Sequence, residues 1–215
     1  MRRDSVTKVL LVDDHAVVRA GYRTLLEDES HLKIVAEADS GEAACRAFGV
    51  YRPNVTVMDL SLPGMSGLEA TRRIVHRDPG ARVLVFSMHE DTVFVERALQ
   101  AGARGYITKD SAPETLVTAV MRVAEGSVYV DQQLAQHLAV QKSRDEDGPW
   151  SCLSTREFEI FYLLAQGLTS ARIAERLSLS AKTVANYSTQ IKAKLEVEGQ
   201  GELIRLAIRR GLVSA

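Results

Sequence analysis

The chain has 215 residues, of which 46% are hydrophobic and 26% charged, and its formal net charge is −1; this composition excludes disordered and fibrous proteins. Its apolar runs are far shorter than the ~20 residues that cross a bilayer, and the opening Met1-Arg2-Arg3-Asp4 leads into no signal-peptide core, so we expect neither a membrane span nor secretion. The two cysteines, Cys45 and Cys152, form no Cys-x-x-Cys motif, which excludes a disulfide scaffold and a structural zinc site and predicts a reducing cytoplasm.

Residues 1–126 alternate short strand-like runs with longer helical patterns. The predicted strands are Val6–Val12, Leu32–Ala38, Val55–Asp59, Arg82–Ser87 and Gly105–Thr108. The predicted helices are Ala16–Glu27, Gly41–Phe48, Leu68–His76, Thr92–Ala101 and Pro113–Glu125, with Ser40 as an N-cap and Pro113 opening the last of them. Three strands have apolar centres, as strands covered by helices on both faces require. The pattern predicts an α/β domain with a five-stranded, doubly wound parallel sheet.

A charged segment separates this part from the C-terminal residues. Residues 131–141 have a helical pattern, and residues 142–149 then contain no apolar side chain and end in Gly-Pro, which is typical of a linker. We therefore predict three parts: a domain at 1–126, a helix and charged linker at 127–150, and a second domain at 151–215.

The second domain is predicted to be all-helical. Ser154-Thr155-Arg156-Glu157 has the spacing of a capping box and opens its first helix. Further helices are predicted at residues 170–177, 181–195 and 202–210. A turn at residues 178–180 joins the first two of these, in the order of a helix-turn-helix.

Three carboxylates follow two strands of the predicted sheet. Asp13 and Asp14 follow the first strand and Asp59 ends the third, so they meet at one rim. Such a group requires a cation, and oxygen ligands suit Mg²⁺. Ser87 and Lys109 end the fourth and fifth strands and can hold the oxygens of a phosphoryl group, with one carboxylate as the nucleophile.

Simpler roles exist for each of these residues. Asp13 and Asp14 have the position of a helix cap, Asp59 that of a turn former, and Lys109 that of a solvated lysine. Their occurrence together at the ends of four strands favours a joint site.

These residues resemble the receiver domain of two-component response regulators. The resemblance rests on Val12-Asp13-Asp14-His15, the run from Met58 to Gly67 (Met-Asp-Leu-Ser-Leu-Pro-Gly-Met-Ser-Gly), Ser87, and Gly105-Tyr106-Ile107-Thr108-Lys109. It implies a flavodoxin-like fold. It also implies that Asp59 is the phosphoacceptor, and that Mg²⁺ is bound by Asp14, Asp59 and the backbone carbonyl of Ser61, with Asp13 acting through water.

The same resemblance implies a switch. Lys109 pairs with the phosphoryl group, and Ser87 moves toward it. Tyr106 then turns inward and changes the face formed by the fourth helix, the fifth strand and the fifth helix. We further hypothesise that Ser61 and His89, each two residues beyond a site residue, tune the attack of water on the acyl phosphate.

Charge differs between the two parts. Residues 151–215 hold nine Lys or Arg and six Asp or Glu, whereas residues 1–150 hold 18 and 22. A basic small domain on an acidic larger one favours a nucleic-acid reader.

The helix at 181–195 has two distinct sides. Four residues share the side that should face the core, with Tyr187 at its margin: Val184, Ser188, Ile191 and Leu195. The opposite side carries groups suited to bases and phosphates, although any amphipathic surface helix is polar outward: Lys182, Ala185, Asn186, Thr189, Gln190 and Lys192.

Residues 151–215 resemble the LuxR-type helix-turn-helix of NarL/FixJ regulators. The matching residues are Leu153-Ser-Thr-Arg-Glu157, Leu164-Ala-Gln-Gly167, Ile173-Ala174, the run from Leu177 to Val184, and Lys194-Leu195. The resemblance implies that the helix at 181–195 recognises DNA, with Thr183 on phosphates. Ala185 stands where the family often has lysine, so its base contacts do not transfer there.

The last helix has more apolar residues than one face of a small core needs: Leu203, Ile204, Leu206, Ala207 and Ile208. In the family the corresponding helix pairs two DNA-binding domains, which implies a homodimer. The order of the whole chain, including its Gly-Leu-Val ending, resembles the GacA/UvrY-like branch.

The sequence thus predicts a cytoplasmic transcriptional regulator of a two-component system. It predicts a sensor histidine kinase and promoter DNA as partners, no membrane partner, and no enzyme activity beyond self-catalysed phosphoryl transfer and hydrolysis at Asp59. Two alternatives remain at this point: a receiver that acts as a phosphorylation-independent interaction module, and a Mg²⁺-dependent phosphohydrolase.

Overall fold

The computed structural model describes residues 6–142, 150, 152–177, 179–210 and 212–213. Its contacts divide the chain into two compact units, Met1–His137 and Leu138–Ala215. The division falls within the segment predicted to be a helix and linker. Of that linker, residues 143–149 lie outside the described part.

The first unit contains a parallel sheet whose strand order is β2-β1-β3-β4-β5-β6. The strands are β1 (Thr7–Val12), β2 (Leu32–Ala38), β3 (Val55–Met58), β4 (Val83–Ser87), β5 (Gly105–Thr108) and β6 (Tyr129–Val130). The helices are α1 (Ala16–Glu27), α2 (Gly41–Tyr51), α3 (Gly67–Arg77), α4 (Thr92–Gln100), α5 (Pro113–Ala124) and α6 (Gln132–Lys142), the last of which extends past the division between the units. The predicted parallel α/β fold is confirmed.

The predicted count of five strands was wrong, because the sheet has six. β6 pairs in parallel with β5 through only two residues, Tyr129 opposite Gly105 and Val130 opposite Tyr106. A strand of two residues is too short for side-chain periodicity to reveal it.

Two apolar cores cover the two faces of the sheet. Successive residues of a strand point to opposite faces, so the neighbours Leu10 and Leu11 enter different cores. Leu11 packs in the core that includes residues of α1 and α5, and Leu10 in the core that includes residues of α2 and α3. This arrangement explains why the central strands are mostly apolar on both sides, with the buried Thr56 of β3 as an exception.

The helix boundaries largely follow the predicted signals. Pro113 opens α5 as predicted. Ser40 is the residue before α2, but its hydroxyl lies 3.1 Å from Asp39 Oδ1 and caps no helical N–H. α2 also continues beyond the predicted end at Phe48 and stops where Arg52 adopts a left-handed φ of 43°.

Among its described residues between 152 and 213, the second unit has four short helices. They are α7 (Thr155–Ala165), α8 (Ser170–Arg176), α9 (Ala181–Lys194) and α10 (Gln200–Arg209). Ser154 and Glu157 form the predicted capping box, with both of its hydrogen bonds present. Ser180 accepts from the backbone N–H of Thr183 and so starts α9; residue 178, within the predicted turn, lies outside the described part.

The core of this unit has fully buried side chains on α7, α8, α9 and α10: Phe158, Phe161, Ile173, Val184, Ile191 and Leu203. On α9, Val184 and Ile191 face the core as predicted, whereas Ser188 and Leu195 are only half-buried. Tyr187 is also half-buried. Among the described residues, we find no helix with the length and apolarity to span a membrane.

Candidate functional site

The sheet topology brings the predicted carboxylates together. β1 and β3 are neighbours with Val12 opposite Met58, so the next residues, Asp13 and Asp59, emerge side by side. Single ligand atoms of Asp13, Asp14, His15 and Asp59 all lie within 4.8 Å of one another. Asp13 and Asp59 are only 2% and 3% exposed, so their charges are poorly screened by water.

Lys109 bridges the two buried carboxylates. Its Nζ donates to Asp13 Oδ2 and to Asp59 Oδ2, both at 2.6 Å. The backbone N–H of Lys109 donates to the carbonyl of Ser87 at 2.8 Å, which fixes the start of the loop that carries the lysine. One ammonium thus offsets part of the repulsion between two carboxylates at the end of the sheet.

Burial raises the pKa of the Asp59 carboxyl above its ordinary value, and the nearby Asp13 raises it further, while Lys109 opposes both effects. For Lys109, burial lowers the pKa, but Asp59 and Asp13 raise it by more, so the pKa of the ammonium lies above its ordinary value. Lys109 is therefore charged at neutral pH and favours the ionised form of Asp59, the form that can act as a nucleophile.

The donor set fits a hard divalent cation. Asp14 Oδ1 is shielded from solvent and accepts no hydrogen bond from the described residues; His15 Nδ1 lies 2.8 Å away without hydrogen-bond alignment. A buried carboxylate oxygen without a donor is costly unless a cation satisfies it. Oxygen atoms of Asp13, Asp14 and Asp59 are the ligands that Mg²⁺ prefers.

A glycine allows the third helix to begin beside the site. A Cβ at Gly67 would lie 1.8 Å from the backbone oxygen of Asp59. The N–H of Gly67 donates to the carbonyl of Leu60 at 3.0 Å, and the hydroxyl of Ser66 caps α3 by accepting from the N–H of Glu69. The loop after Asp59 is therefore held close to the sheet by the start of α3.

His89 connects the two predicted switch residues. Its backbone N–H donates to Ser87 Oγ at 3.3 Å, and its carbonyl accepts from the hydroxyl of Tyr106 at 2.7 Å. Tyr106 is fully buried. A movement of the Ser87 hydroxyl would thus reach the Tyr106 ring through His89.

Ser61 and His89 also meet, a contact that the sequence did not predict. Ser61 Oγ lies 3.3 Å from His89 Nε2, and the Ser61 backbone N–H donates to Asp59 Oδ1 at 3.2 Å. The His89 ring stacks on Phe94 with centroids 4.1 Å apart. The Ser61 backbone therefore contacts the carboxylate of Asp59, and the His89 ring contacts Ser61.

Sequence reasoning missed two residues near the acidic rim. Arg19 on α1 donates through Nη1 to the carbonyl of Asp13 at 2.5 Å and through Nε to Glu37 Oε2 at 2.9 Å. His15, although part of the quoted motif, was assigned no role, and it lies beside Asp14. The spacing of His15 and Arg19, one helical turn apart, is a signal that places both at the start of α1.

The predicted DNA-facing side of α9 is largely open to solvent. Its exposed members are Lys182, Ala185, Asn186, Thr189 and Gln190. Lys192 is half-buried, as is Thr183, whose hydroxyl lies 2.8 Å from Ser180 Oγ. The exposed side offers amide, hydroxyl and ammonium groups to a partner.

Comparison with known families matches both units. Residues 9–121 match the family described as the response regulator receiver domain, and residues 151–207 match the family described as bacterial regulatory proteins, luxR family. These families are transcriptional response regulators and not enzymes, so the phosphohydrolase alternative is set aside.

Relatives align along nearly the whole chain. The response regulator UvrY of Escherichia coli O6:H1 is 41% identical over 212 residues, covering 96% of this chain and 96% of the relative. The response regulator GacA of Pseudomonas aeruginosa is 39% identical over 210 residues, covering 97% and 98%. A solved complex of the two-component response regulator RcsB with DNA is 25% identical with a TM-score of 0.60, covering 93% of this chain and 96% of that chain. The chain therefore belongs to the NarL/FixJ-type response regulators of two-component systems, in which a receiver domain is joined to a LuxR-type DNA-binding domain.

Proposed function

We propose that Asp59 accepts a phosphoryl group from a sensor histidine kinase and that this modification controls promoter binding by α9. The observation that carries the proposal is the bridge from Lys109 to Asp13 and Asp59 at the end of the sheet. A carboxylate oxygen of Asp59 attacks phosphorus, an O–P bond forms, and the P–N bond to the kinase histidine breaks. Lys109 then pairs with the new phosphoryl oxygens.

Mg²⁺ would be held by Asp14, Asp59 and the backbone carbonyl of Ser61, with Asp13 acting through water. The ion would supply charge neutralisation as negative oxygens approach the acidic rim. The unsatisfied Asp14 Oδ1 supports this assignment. Arg19 holds the Asp13 carbonyl and so maintains the backbone from which two of these carboxylates project.

Phosphorylation adds about −1.5 to −2 charges at the rim. We expect the Ser87 hydroxyl and Lys109 to satisfy them, and Ser87 is linked through His89 to Tyr106. A change at Ser87 therefore changes the population of states at the face formed by α4, β5 and α5.

In this proposal the phosphorylated protein binds DNA as a homodimer. α10 keeps Leu203 and Ala207 buried while Ile204, Leu206 and Ile208 are only half-buried, so apolar surface remains for a second copy. A solved structure of RcsB is described as two dimers bound to two parallel DNAs. Because promoter DNA is the partner, we place the protein in the bacterial cytoplasm.

The experiment incubates the full-length protein with acetyl phosphate and Mg²⁺. We expect an intact-mass gain of one phosphoryl group, dependent on Mg²⁺, together with a doubling of mass by light scattering. Phosphoryl uptake without a doubling of the light-scattering mass would retain Asp59 as the phosphoacceptor and indicate that the protein dimerises on DNA. No uptake, from acetyl phosphate or from any kinase tried, would contradict the proposal and favour an interaction module.

His89→Ala is expected to lengthen the half-life of the phosphoryl group severalfold. His89 Nε2 lies 3.3 Å from Ser61 Oγ, and the Ser61 N–H donates to Asp59, so the imidazole can orient the attacking water and alanine cannot. The loss of ³²P from purified phosphoprotein measures this, with His76→Ala on the exposed side of α3 as the matched control. An unchanged half-life would remove His89 from this role.

Variants on the exposed side of α9 should separate base reading from charge. Asn186→Ala is expected to reduce the ratio of specific to non-specific affinity, because asparagine can bond adenine bidentately. Lys182→Met is expected to weaken both and to lower the salt slope of binding by about 0.9 for one lost phosphate contact. Fluorescence anisotropy over a salt series measures both, on a duplex selected by the protein from a random pool; equal effects of the two variants would contradict these roles.

A further inference from the structure

Two adjacent residues in the first turn of α7 contact the two helices of the helix-turn-helix. Arg156 contacts the end of α8, and Glu157 contacts the end of α9. In the sequence both residues belong to the capping motif and to the run that resembles the LuxR-type family. Their contacts join three helices of the DNA-binding unit at one place.

Arg156 holds the helix that precedes the turn. Its Nη2 donates to the carbonyl of Leu177 at 3.1 Å, and its Nη1 pairs with Glu159 Oε2 at 2.6 Å. Leu177 is the C-cap residue of α8, where a helical carbonyl has no partner within its own helix. The Arg156 side chain, only 16% exposed, thus fixes the point from which the chain turns into α9.

Glu157 holds the far end of α9. Its Oε2 accepts from the backbone N–H of Ser154 at 2.7 Å and from Lys194 Nζ at 2.7 Å. Glu157 is 5% exposed, and Lys194 is the last residue of α9. The Cys152 thiol lies 3.8 Å from the Lys194 carbonyl and adds a weak contact at the same end.

Burial raises the pKa of the Glu157 carboxyl, but the hydrogen bonds from Lys194 and Ser154 lower it by more, so its pKa lies below the ordinary value. Glu157 is therefore ionised at neutral pH. The Lys194 side chain is 43% exposed, but its ammonium is held at 2.7 Å by the buried carboxylate of Glu157.

We propose that Arg156, Glu157 and Lys194 form a brace that sets the orientation of α9 for DNA, with Lys194 as a positioning residue and not a phosphate contact. α9 has 14 residues and is about 21 Å long, so a small rotation about one end displaces the other end appreciably. Recognition side chains must be held to within about 0.5 Å by their supporting contacts. The inference rests on the proposed role of α9 in DNA recognition.

The salt dependence of binding distinguishes positioning from charge. Lys194→Met in the full-length protein is expected to weaken binding to the selected duplex roughly tenfold, while the slope of log Kd against log salt stays at the wild-type value. Lys182→Met, the matched lysine on the same helix, is expected to lower that slope. Lys194→Arg retains the ion pair and should restore most of the affinity.

A double variant guards against simple unfolding. Glu157→Gln/Lys194→Met leaves no unpaired buried charge and keeps an oxygen to accept from Ser154, so its circular dichroism melt should resemble that of the wild type. We expect it to show the same loss of affinity for DNA as Lys194→Met alone, because both variants remove the same contact, the ion pair of Glu157 and Lys194.

The outcomes separate the brace from the role of α9. A reduced salt slope for Lys194→Met, equal to that for Lys182→Met, would show a direct phosphate contact and overturn the brace. Wild-type affinity in the double variant would do the same. If Lys182→Met and Asn186→Ala also leave binding unchanged, α9 is not the recognition helix, and the brace falls together with that part of the proposed function.

Discussion

We expect Asp59→Asn to take up no phosphoryl group from acetyl phosphate and to remain folded. An amide oxygen is a poor nucleophile and does not form the acyl phosphate that a carboxylate forms. The fold should tolerate the change because burial already disfavours the ionised form of this carboxyl, and Lys109 retains Asp13 as its partner. We expect a free energy of unfolding at pH 7 equal to or above that of the wild type.

Asp110→Asn provides the matched control. Asp110 is exposed and directly follows Lys109, so its substitution changes the charge near the rim without touching the buried carboxylates. Intact mass spectrometry after incubation with Mg²⁺ should show one phosphoryl group on this control and none on Asp59→Asn. Uptake by Asp59→Asn would place the phosphoacceptor elsewhere, with Asp13 and Asp14 as the next candidates.

Lys109→Met has the second large effect. It should lower the free energy of unfolding at pH 7 by about 3 kcal/mol, since removing one partner of a buried ion pair leaves uncompensated charge. The lysine side chain is 8% exposed and contacts both Asp13 and Asp59 at 2.6 Å. In the variant, little water can therefore solvate the two carboxylates in place of the ammonium. Urea unfolding followed by circular dichroism measures the difference, with Lys33→Met on the exposed side of β2 as the control.

The deficit should depend on pH in both directions. Without Lys109, the pKa of Asp59 rises further, and the folded state binds more protons than the unfolded state as pH falls toward the ordinary carboxyl pKa. Stability of the variant therefore increases on acidification relative to the wild type. Lys109 itself stabilises the wild type below its unfolded pKa of 10.5 and ceases to do so as pH rises through its higher folded pKa. A deficit that stays constant between pH 5 and pH 11 would contradict this account.

The sequence predicted the parts of the fold that depend on local patterns. The apolar runs gave the positions of the first five strands, and strand order brought Asp13 and Asp59 together as anticipated. β6 was missed because two residues show no periodicity. The end of α2 was missed because Arg52 takes a left-handed backbone conformation that residues other than glycine rarely adopt. Local chemistry was therefore a better guide to strand centres than to element ends.

Contacts between distant residues were not predictable from patterns. Lys109 was expected to meet a phosphoryl group, but its simultaneous bonds to Asp13 and Asp59 depend on the detailed path of the loop after β5. The link from Tyr106 to the His89 carbonyl and the pair formed by Glu157 and Lys194 join residues 17 and 37 positions apart. Such contacts follow from tertiary packing, which a single sequence encodes without any local sign.

Binding to DNA with and without the phosphoryl group tests the central claim most directly. The wild type first selects a duplex from a random pool, and Kd for that duplex is then measured by fluorescence anisotropy for the wild type and Asp59→Asn, each before and after treatment with acetyl phosphate and Mg²⁺. We expect treatment to strengthen binding by the wild type and to leave Asp59→Asn unchanged. Equal affinity in all four samples, with phosphoryl uptake by the wild type verified, would contradict control of DNA binding through Asp59.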